Sequence, residues 1–343
     1  MFDPVEIKKA GRILAQSKKI ALICHKNPDG DTIGAALAMY HYLSTKGHVV
    51  NALVPNDFPG FYQWMPGSEK MHIYDREAKY VRQCIAEADV IFCLDFNSLD
   101  RTGNMADALK KAKAVKIMID HHQAPSDEFE YCFSVIDTSS TGELVYEFID
   151  ALGDKERIDL NVALALYTCI MTDTGSFSFS CNHARTYEII ADLVKRGVDA
   201  AKVHKLVYDT YSENRLRLLG FAISSRMLVW NGLHTAVIRL SKDDLKRFDF
   251  QIGDTEGVVN YPLSMAHINL AVLLTEKDDI IRISFRSKGD FDVNDFARKH
   301  FNGGGHRNAS GGNSKLSLTA TLEQMKNILG QYRQALDYQI TLE

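Results

Sequence analysis

The first half of the sequence alternates apolar runs typical of buried strands with amphipathic runs typical of helices, and this alternation restricts the fold most. The first run, KKIALICH, is apolar until its last residue, as expected for a strand buried on both faces. The helical segment TIGAALAMYHYLSTKG follows and ends in glycine. The pattern recurs through VVNALVP, DVIFCLDF, AVKIMID and YCFSVID, with further helical segments among and after them. Strands that alternate with helices predict an α/β domain with a doubly wound, mainly parallel sheet.

The second half has a different order of elements. Residues from about 184 to 226 are helical and charged, and three strand-like runs follow: LHTAVIRLS, INLAVLLTE and IIRISFRS. A helical DVNDFARKHF, a glycine-rich segment and a helical C-terminus complete the chain. We expect a smaller α+β domain with a mixed sheet. At 343 residues two domains are the default, and we predict a first domain over 1–190, a helical linker over 191–215 and a second domain over 216–343.

Composition excludes several classes of protein. With 45% hydrophobic and 24% charged residues, the chain is that of a folded protein. A net charge of −4 and the lack of any run of lysines or arginines do not suit a long polyanion, so a nucleic-acid substrate would be short. The 6 cysteines lack CxxC spacing and are expected to be reduced thiols. The sequence shows neither a signal-peptide pattern nor a membrane-spanning run, which predicts a cytoplasmic protein.

Acidic and histidine residues recur where the predicted strands end. In a parallel sheet these ends meet at one edge, where ligands bind. Asp173 stands at the exit of the helical segment LNVALALYTCIM. We therefore expect one shared cleft lined by His25, Asp29, Asp31, Asp95, Asp120, His121, His122 and Asp173.

The residue types at this cleft favour a pair of divalent cations. Imidazole and carboxylate without thiolate suit manganese or magnesium better than structural zinc. Six ligands are too many for one ion that keeps an open position, so two ions sharing a carboxylate fit better. Two ions about 3.5–4 Å apart can activate a water molecule and stabilise charge on phosphoryl oxygens, which indicates phosphate ester hydrolysis. The ligand candidates are His25, Asp29, Asp31, Asp95, His121 and Asp173. Ordinary turn aspartates are the alternative for each motif taken alone.

Two features of the second domain suit an anion. The loop GGGH, residues 303–306, could present backbone N–H groups unobstructed by side chains. Arg286 offers a planar fork that matches phosphate. A flexible linker and a solvated surface arginine are the competing interpretations.

The motifs together resemble a known family. HKNPDGDTIG, CLDFNSLDRTG, IDHH and TDTGSF resemble the four motifs of the DHH phosphoesterases in order and spacing. SFRSKGDFDVNDFARKHFNGGGHRNASGG resembles their C-terminal DHH-associated domain of the GGGH type. The likeness is greatest to the bacterial two-domain branch of bifunctional oligoribonucleases (nanoRNases) and pAp phosphatases. RecJ-type exonucleases carry further domains, and the membrane-attached cyclic-dinucleotide phosphodiesterases carry transmembrane segments.

The resemblance implies a role for each matching residue. His25, Asp29 and Asp95 would hold one manganese, and Asp31, Asp95, His121 and Asp173 the other, with Mg²⁺ or Co²⁺ as alternatives. His122 would contact the phosphate or nearby water, and Asp120 would orient a histidine. Arg101 would touch a substrate phosphate or cap a helix. The substrate clamp would comprise Arg286, Ser287, Gly303, Gly304, Gly305 and His306.

The resemblance also implies an activity. The expected reactions are hydrolysis of oligoribonucleotides of about two to five nucleotides, selected by positioning rather than by base reading, and of pAp to AMP. The implied partners are short RNA and small phosphonucleotides, without long duplex nucleic acid or membrane, and such chains often form homodimers. One alternative is a phosphodiesterase of cyclic dinucleotides or of the linear pApA and pGpG. Another is a non-catalytic nucleotide-binding regulator, although no expected ligand is lost.

Overall fold

The computed structural model describes residues 2–277 and 279–338. They divide into two compact units, Met1–Thr210 and Tyr211–Glu343. The division falls within residues 191–215, the segment that the sequence analysis treats as a linker. All 6 cysteines are free. No helix in the described part of the chain combines the length and the apolar character needed to cross a bilayer.

The first unit contains one parallel sheet with helices on both faces, which confirms the predicted α/β fold. The strands lie in the order β3-β2-β1-β4-β5-β6, and every neighbouring pair is parallel. Their bounds are β1 (Lys19–Ile23), β2 (Val49–Val54), β3 (His72–Ile73), β4 (Val90–Leu94), β5 (Val115–Asp120) and β6 (Tyr131–Ser134). The helices are α1 (Pro4–Ile13), α2 (Gly30–Thr45), α3 (Tyr74–Glu87), α4 (Ala106–Lys111), α5 (Thr141–Ala151), α6 (Leu160–Asp173), α7 (Ala184–Lys195) and α8 (Ala200–Tyr208).

The apolar run of β1 is continuous because each face of the strand meets a separate core. Ile20 and Leu22 pack into the larger core, which includes α2, α5 and α6. Ala21 and Ile23 pack into the core on the other face, with α3 and α4. A strand covered on both sides has no position for an alternating polar residue.

Two glycines allow three helices of the larger core, α2, α5 and α6, to approach one another closely. A Cβ at Gly34 of α2 would lie 2.4 Å from the sulfur of Cys169, and one at Gly142 of α5 would lie 2.2 Å from the Cβ of that residue. Cys169 belongs to α6, so the helix N-termini of α2 and α5 both lie against α6. This packing is possible only without a side chain at positions 34 and 142.

The second unit contains a mixed sheet, as predicted. Its strands lie in the order β11-β12-β10-β9-β8-β7, and only β8 and β9 are parallel. They are β7 (Met227–Trp230), β8 (Thr235–Leu240), β9 (Leu270–Glu276), β10 (Ile281–Ser287), β11 (Gly304–His306) and β12 (Ala309–Ser314). The helices are α9 (Glu213–Ser225), α10 (Lys242–Arg247), α11 (Val293–His300) and α12 (Leu318–Leu329).

The glycine-rich segment corrects one expectation, because GGGH is not a loop. Gly304–His306 form the edge strand β11, which pairs with β12. A Cβ at Gly303 would lie 2.0 Å from the carbonyl oxygen of Gly311, so two backbones approach here too closely for a side chain. Glycine in a strand often marks such an approach, whereas its low strand propensity suggests a loop.

Candidate metal centre

The predicted ligands gather where the strand order of the first sheet reverses. β1 lies between β2 and β4, so the chain crosses to opposite sides of the sheet at the β1–β4 boundary. This boundary forms a crevice at the carboxyl ends of the strands. His25 follows β1 and Asp95 follows β4. Asp31 belongs to the first turn of α2, and Asp173 ends α6.

A first group joins His25, Asp29 and Asp95. The Nε2 atom of His25 lies 3.7 Å from Asp29 Oδ2 and 3.4 Å from Asp95 Oδ2. The Nδ1 atom of the same ring lies 3.0 Å from the carbonyl oxygen of Lys26. A carbonyl only accepts, so Nδ1–H donates, and Nε2 of the neutral ring carries the lone pair that a metal needs.

A second group joins His121 with three carboxylates. Its Nε2 atom lies 3.6 Å from Asp31 Oδ2, 3.5 Å from Asp95 Oδ1 and 3.5 Å from Asp173 Oδ2. Asp95 thus directs one oxygen toward each histidine. This arrangement of its carboxylate suits a ligand shared by two ions.

The N-terminus of α5 anchors these carboxylates, and the sequence analysis missed it. The backbone N–H groups of Thr141 and Gly142 donate to Asp31 at 2.7 and 2.9 Å. The Thr141 hydroxyl donates to Asp95 Oδ1 at 2.9 Å. The available signal was the capping residue Ser140, whose Oγ accepts from Glu143 N, because a helix N-terminus favours anions.

Local backbone structure orients two of the aspartates. Asp29 caps α2, and its Oδ1 accepts from Asp31 N and Thr32 N at 3.1 and 3.2 Å, so Oδ2 remains for His25. Asp95 has a φ of 67°, in the left-handed region. Such a conformation costs a non-glycine residue about 1–3 kcal/mol and is often found at functional sites.

The electrostatics of the cluster indicate missing positive charge. Burial, together with the neighbouring carboxylates, raises the pKa of Asp31 well above its ordinary value. Burial also raises the pKa of Asp95. For His25, burial opposes the charged form, but Asp29 and Asp95 outweigh it and raise the pKa to about 10. Asp31 and Asp95 are each 2% exposed, and no lysine or arginine of the described residues forms an ion pair with either.

The residues fit two divalent cations. Donor atoms of His25, Asp29 and Asp95 lie within 4.8 Å of one another, as do those of Asp31, His121 and Asp173. Two atoms bound to one ion at about 2.1 Å are about 3.0–3.5 Å apart, depending on the angle between them. The distances from the Nε2 atoms of His25 and His121 to the neighbouring aspartate oxygens, 3.4–3.7 Å, are close to that range. Oxygen and imidazole donors also match manganese and magnesium.

Asp120 contacts His122. Asp120 Oδ1 lies 2.7 Å from His122 Nδ1, which therefore donates, and the same nitrogen lies 3.7 Å from Asp95 Oδ1. Asp120 is fully buried, and its Oδ2 has no hydrogen-bond partner in the part of the chain that the structure describes. The pair thus lies beside the shared carboxylate.

Arg101 does not join the ligand cluster. It lies in a short 3₁₀ helix, Leu99–Met105, and its carbonyl oxygen accepts from Lys26 N at 2.8 Å. Its guanidinium forms no ion pair within residues 2–277 and 279–338. A contact with substrate phosphate stays a prediction.

The predicted clamp residues of the second unit lie along three paired strands. Arg286 pairs in register with Ala309, and Ala309 pairs with His306. Residues paired in register across neighbouring strands point to the same face, so the arginine and the histidine share a face.

Other members of this clamp set have structural partners. The Ser287 hydroxyl donates to the Phe291 carbonyl at 2.7 Å and accepts from Asn308 at 2.9 Å. The Gly305 N–H donates to the side-chain oxygen of Asn294 at 3.0 Å. The expectation of freely presented N–H groups is therefore wrong for Gly305.

Two family models match most of this chain. The model of the DHH family, N-terminal domain, matches residues 19–170, and the DHHA1 domain model matches residues 234–336. The bifunctional oligoribonuclease and PAP phosphatase NrnA of Bacillus subtilis is 30% identical over 201 residues, which are 58% of this chain and 62% of that protein. The alignment thus spans less than two thirds of that relative.

Solved structures show the same fold. An exopolyphosphatase-related protein from Bacteroides fragilis is 40% identical, with a TM-score of 0.92 over 98% of both chains. RecJ from Thermus thermophilus, solved with Mn²⁺, is 12% identical, with a TM-score of 0.54 over 95% of this chain and 55% of RecJ. The chain belongs to the DHH family of phosphoesterases, with a DHH domain followed by a DHHA1 domain.

Proposed function

We propose that the protein hydrolyses oligoribonucleotides of about two to five nucleotides to mononucleotides, and pAp to AMP. The observation that carries the proposal is the position of Asp95, with one oxygen toward His25 and the other toward His121. The named activities of the Bacillus subtilis relative support this choice of substrates.

The proposed cofactors are two divalent cations, with Mn²⁺ as the preferred metal. His25, Asp29 and Asp95 would hold one, and Asp31, Asp95, His121 and Asp173 the other. When bound, such ions lower the pKa of water and stabilise charge on phosphoryl oxygens.

The residues around the ligands hold them in position. The N-terminus of α5 orients Asp31 through two backbone N–H groups, and Thr141 orients Asp95. Ligands held this way need little rearrangement during the reaction. Asp120 accepts a hydrogen bond from the Nδ1–H of His122. Nε2 is thus the basic nitrogen of the neutral ring and, when protonated, can donate to a phosphate oxygen.

The second unit is the proposed site for the far end of the substrate. Arg286 and His306 share one face of the sheet, and a guanidinium and an imidazolium both bind phosphate. Such contacts recognise the backbone rather than the bases, so we expect weak sequence preference.

The test compares substrates in parallel. Purified protein with Mn²⁺ is given an RNA dinucleotide, pAp, a long RNA and cyclic di-AMP, with a chelator control. We expect rapid loss of the dinucleotide and pAp only. Preference for cyclic di-AMP would replace the proposal with a signalling phosphodiesterase, and inactivity on all four would favour a binding regulator. Asp127→Asn, at an exposed aspartate, serves as the matched control for site variants, and light scattering tests the expected homodimer.

A further inference from the structure

Strand β10 has one apolar face and one polar face. Ile281, Ile283 and Phe285 pack into the core formed with α11 and α12. The alternate residues therefore point to the opposite face of the sheet. These are Arg282, which is exposed, and Ser284 and Arg286, which are half-buried.

The strand register extends this polar face across β12 and β11. Arg282 pairs with Asn313, Ser284 with Gly311, and Arg286 with Ala309. Gly311 and Ala309 pair in turn with Gly304 and His306. All these residues lie on one face because pairing in register preserves the side-chain direction. We call this set the arginine strip: Arg282, Ser284, Arg286, Gly304, His306, Ala309, Gly311 and Asn313.

The residues of the arginine strip are half-buried or exposed, whereas the same face of the sheet is covered further along. Over β8 and β9, Ile238 and Leu273 pack with Leu218 and Ala222 of α9. No residue of the strip is buried. Between the arginines and His306 the side chains are small or absent, because Ala309 and Gly311 occupy β12. The side chains of β12 on this face therefore leave space for an extended chain between the arginines and His306.

The arginine strip contains two arginines and a histidine but no acidic residue. Arg282 forms no ion pair with any carboxylate in the described residues, whereas Arg226 pairs with Asp244 at 2.7 Å and Arg307 with Asp290 at 2.9 Å. An exposed guanidinium without a protein partner retains its fork for an anion.

The spacing of the strip suits a chain of phosphates. Alternate residues on a strand are about 6.8 Å apart, so Arg286, Ser284 and Arg282 provide three polar positions over about 13.6 Å. The spacing of about 6.8 Å between alternate residues is comparable to the distance between neighbouring phosphates in an extended nucleic-acid strand. If one phosphate lies at Arg286, the next phosphate would lie near Ser284 and the one after that near Arg282.

We propose that Arg282 is a further phosphate contact, used only by substrates with four or more phosphates. The first is the phosphate to be hydrolysed at the candidate metal centre. Arg286 and His306 bind the second, Ser284 lies beside the third, and Arg282 binds the fourth. The inference deepens the proposed function and rests on it, because it assigns a length-sensing residue to the same substrates. The ligand class is a single-stranded oligoribonucleotide bound without base recognition.

The test compares pAp with the tetranucleotide pApApApA. Arg282→Ala should lower kcat/KM for pApApApA about tenfold and change that for pAp by less than about twofold. Calorimetric titration of both compounds in chelator measures binding without turnover, and there the slope of log affinity against log salt for pApApApA should fall by about one. Arg333→Ala, at another exposed arginine of the second unit, is the control. Arg282→Lys should give an intermediate loss on pApApApA, because it keeps the charge without the fork.

Two results would overturn the inference. One is an equal loss on pAp and pApApApA, which would mean that Arg282 contacts a part common to all substrates or supports the fold. The other is no loss on pApApApA in either assay. If the wild-type protein hydrolyses neither compound but binds pApApApA through Arg282, the proposed function fails and the inference about Arg282 stands.

Discussion

The candidate metal centre of the first unit and the arginine strip of the second are both proposed to bind phosphate, but their construction differs. Asp31 and Asp95 are 2% exposed and are held by hydrogen bonds from a helix N-terminus. Arg282 is exposed, and the strip ends at an edge strand of three residues. Catalysis needs desolvated groups in fixed positions, whereas binding an end of a flexible substrate tolerates mobile side chains. Variants should therefore reduce turnover in the first unit and substrate capture in the second.

The largest effect is expected at Asp95. Asp95→Asn should lower kcat by about a thousandfold or more, because its two oxygens serve both ligand groups. The measurement is steady-state hydrolysis of a dinucleotide with Mn²⁺, next to Asp127→Asn. Retained turnover in Asp95→Asn would mean that the two groups do not share a ligand.

Thr141 should give the next largest effect. Thr141→Val removes the hydroxyl that bonds Asp95 and keeps the backbone N–H groups that bond Asp31, so we expect a 10- to 100-fold loss of kcat. Thr141→Ser retains the hydroxyl and should restore most of the rate. Equal losses in both variants would point to a packing defect at the start of α5.

A smaller effect, on capture, is expected at Arg286. Arg286→Ala should raise KM for pAp and the dinucleotide about tenfold and leave kcat within about threefold. Hydrolysis of a small synthetic phosphodiester that does not extend to the second unit should be unchanged. A parallel loss on the synthetic compound would remove the functional distinction between the two units.

Removal of the metal should destabilise the first unit rather than the second. Each Mn²⁺ site filled at about 100 times its Kd should stabilise the folded first unit by about 2.7 kcal/mol, because the ion binds the folded unit and not the unfolded chain. Thermal unfolding with Mn²⁺ and with chelator measures this shift. Asp95→Asn should reduce it, and Arg286→Ala should not. A shift that Arg286→Ala abolished would place the metal site elsewhere.

Sequence analysis predicted one part of the site well, for a physical reason. His25 and Asp95 follow apolar runs that only buried parallel strands explain, and such strands bring their carboxyl ends together. The order of strands and ligand residues along the sequence was thus enough to predict that these distant ligands lie close together. The sequence analysis missed Thr141 because its partner Asp31 lies 110 residues away. It missed β11 because glycine has low strand propensity, although the missing side chains permit the close pairing there.

The sequence by itself determined the parallel α/β fold and the family and predicted the candidate ligands, because strand burial, strand ends and the motif residues leave local patterns. Only the tertiary structure showed that the two oxygens of Asp95 face different histidines and that α5 anchors the carboxylates. It also showed that Arg282 shares a face with Arg286 and His306. These facts depend on strand register and helix packing between distant segments, and such long-range contacts leave no periodic signal in the chain.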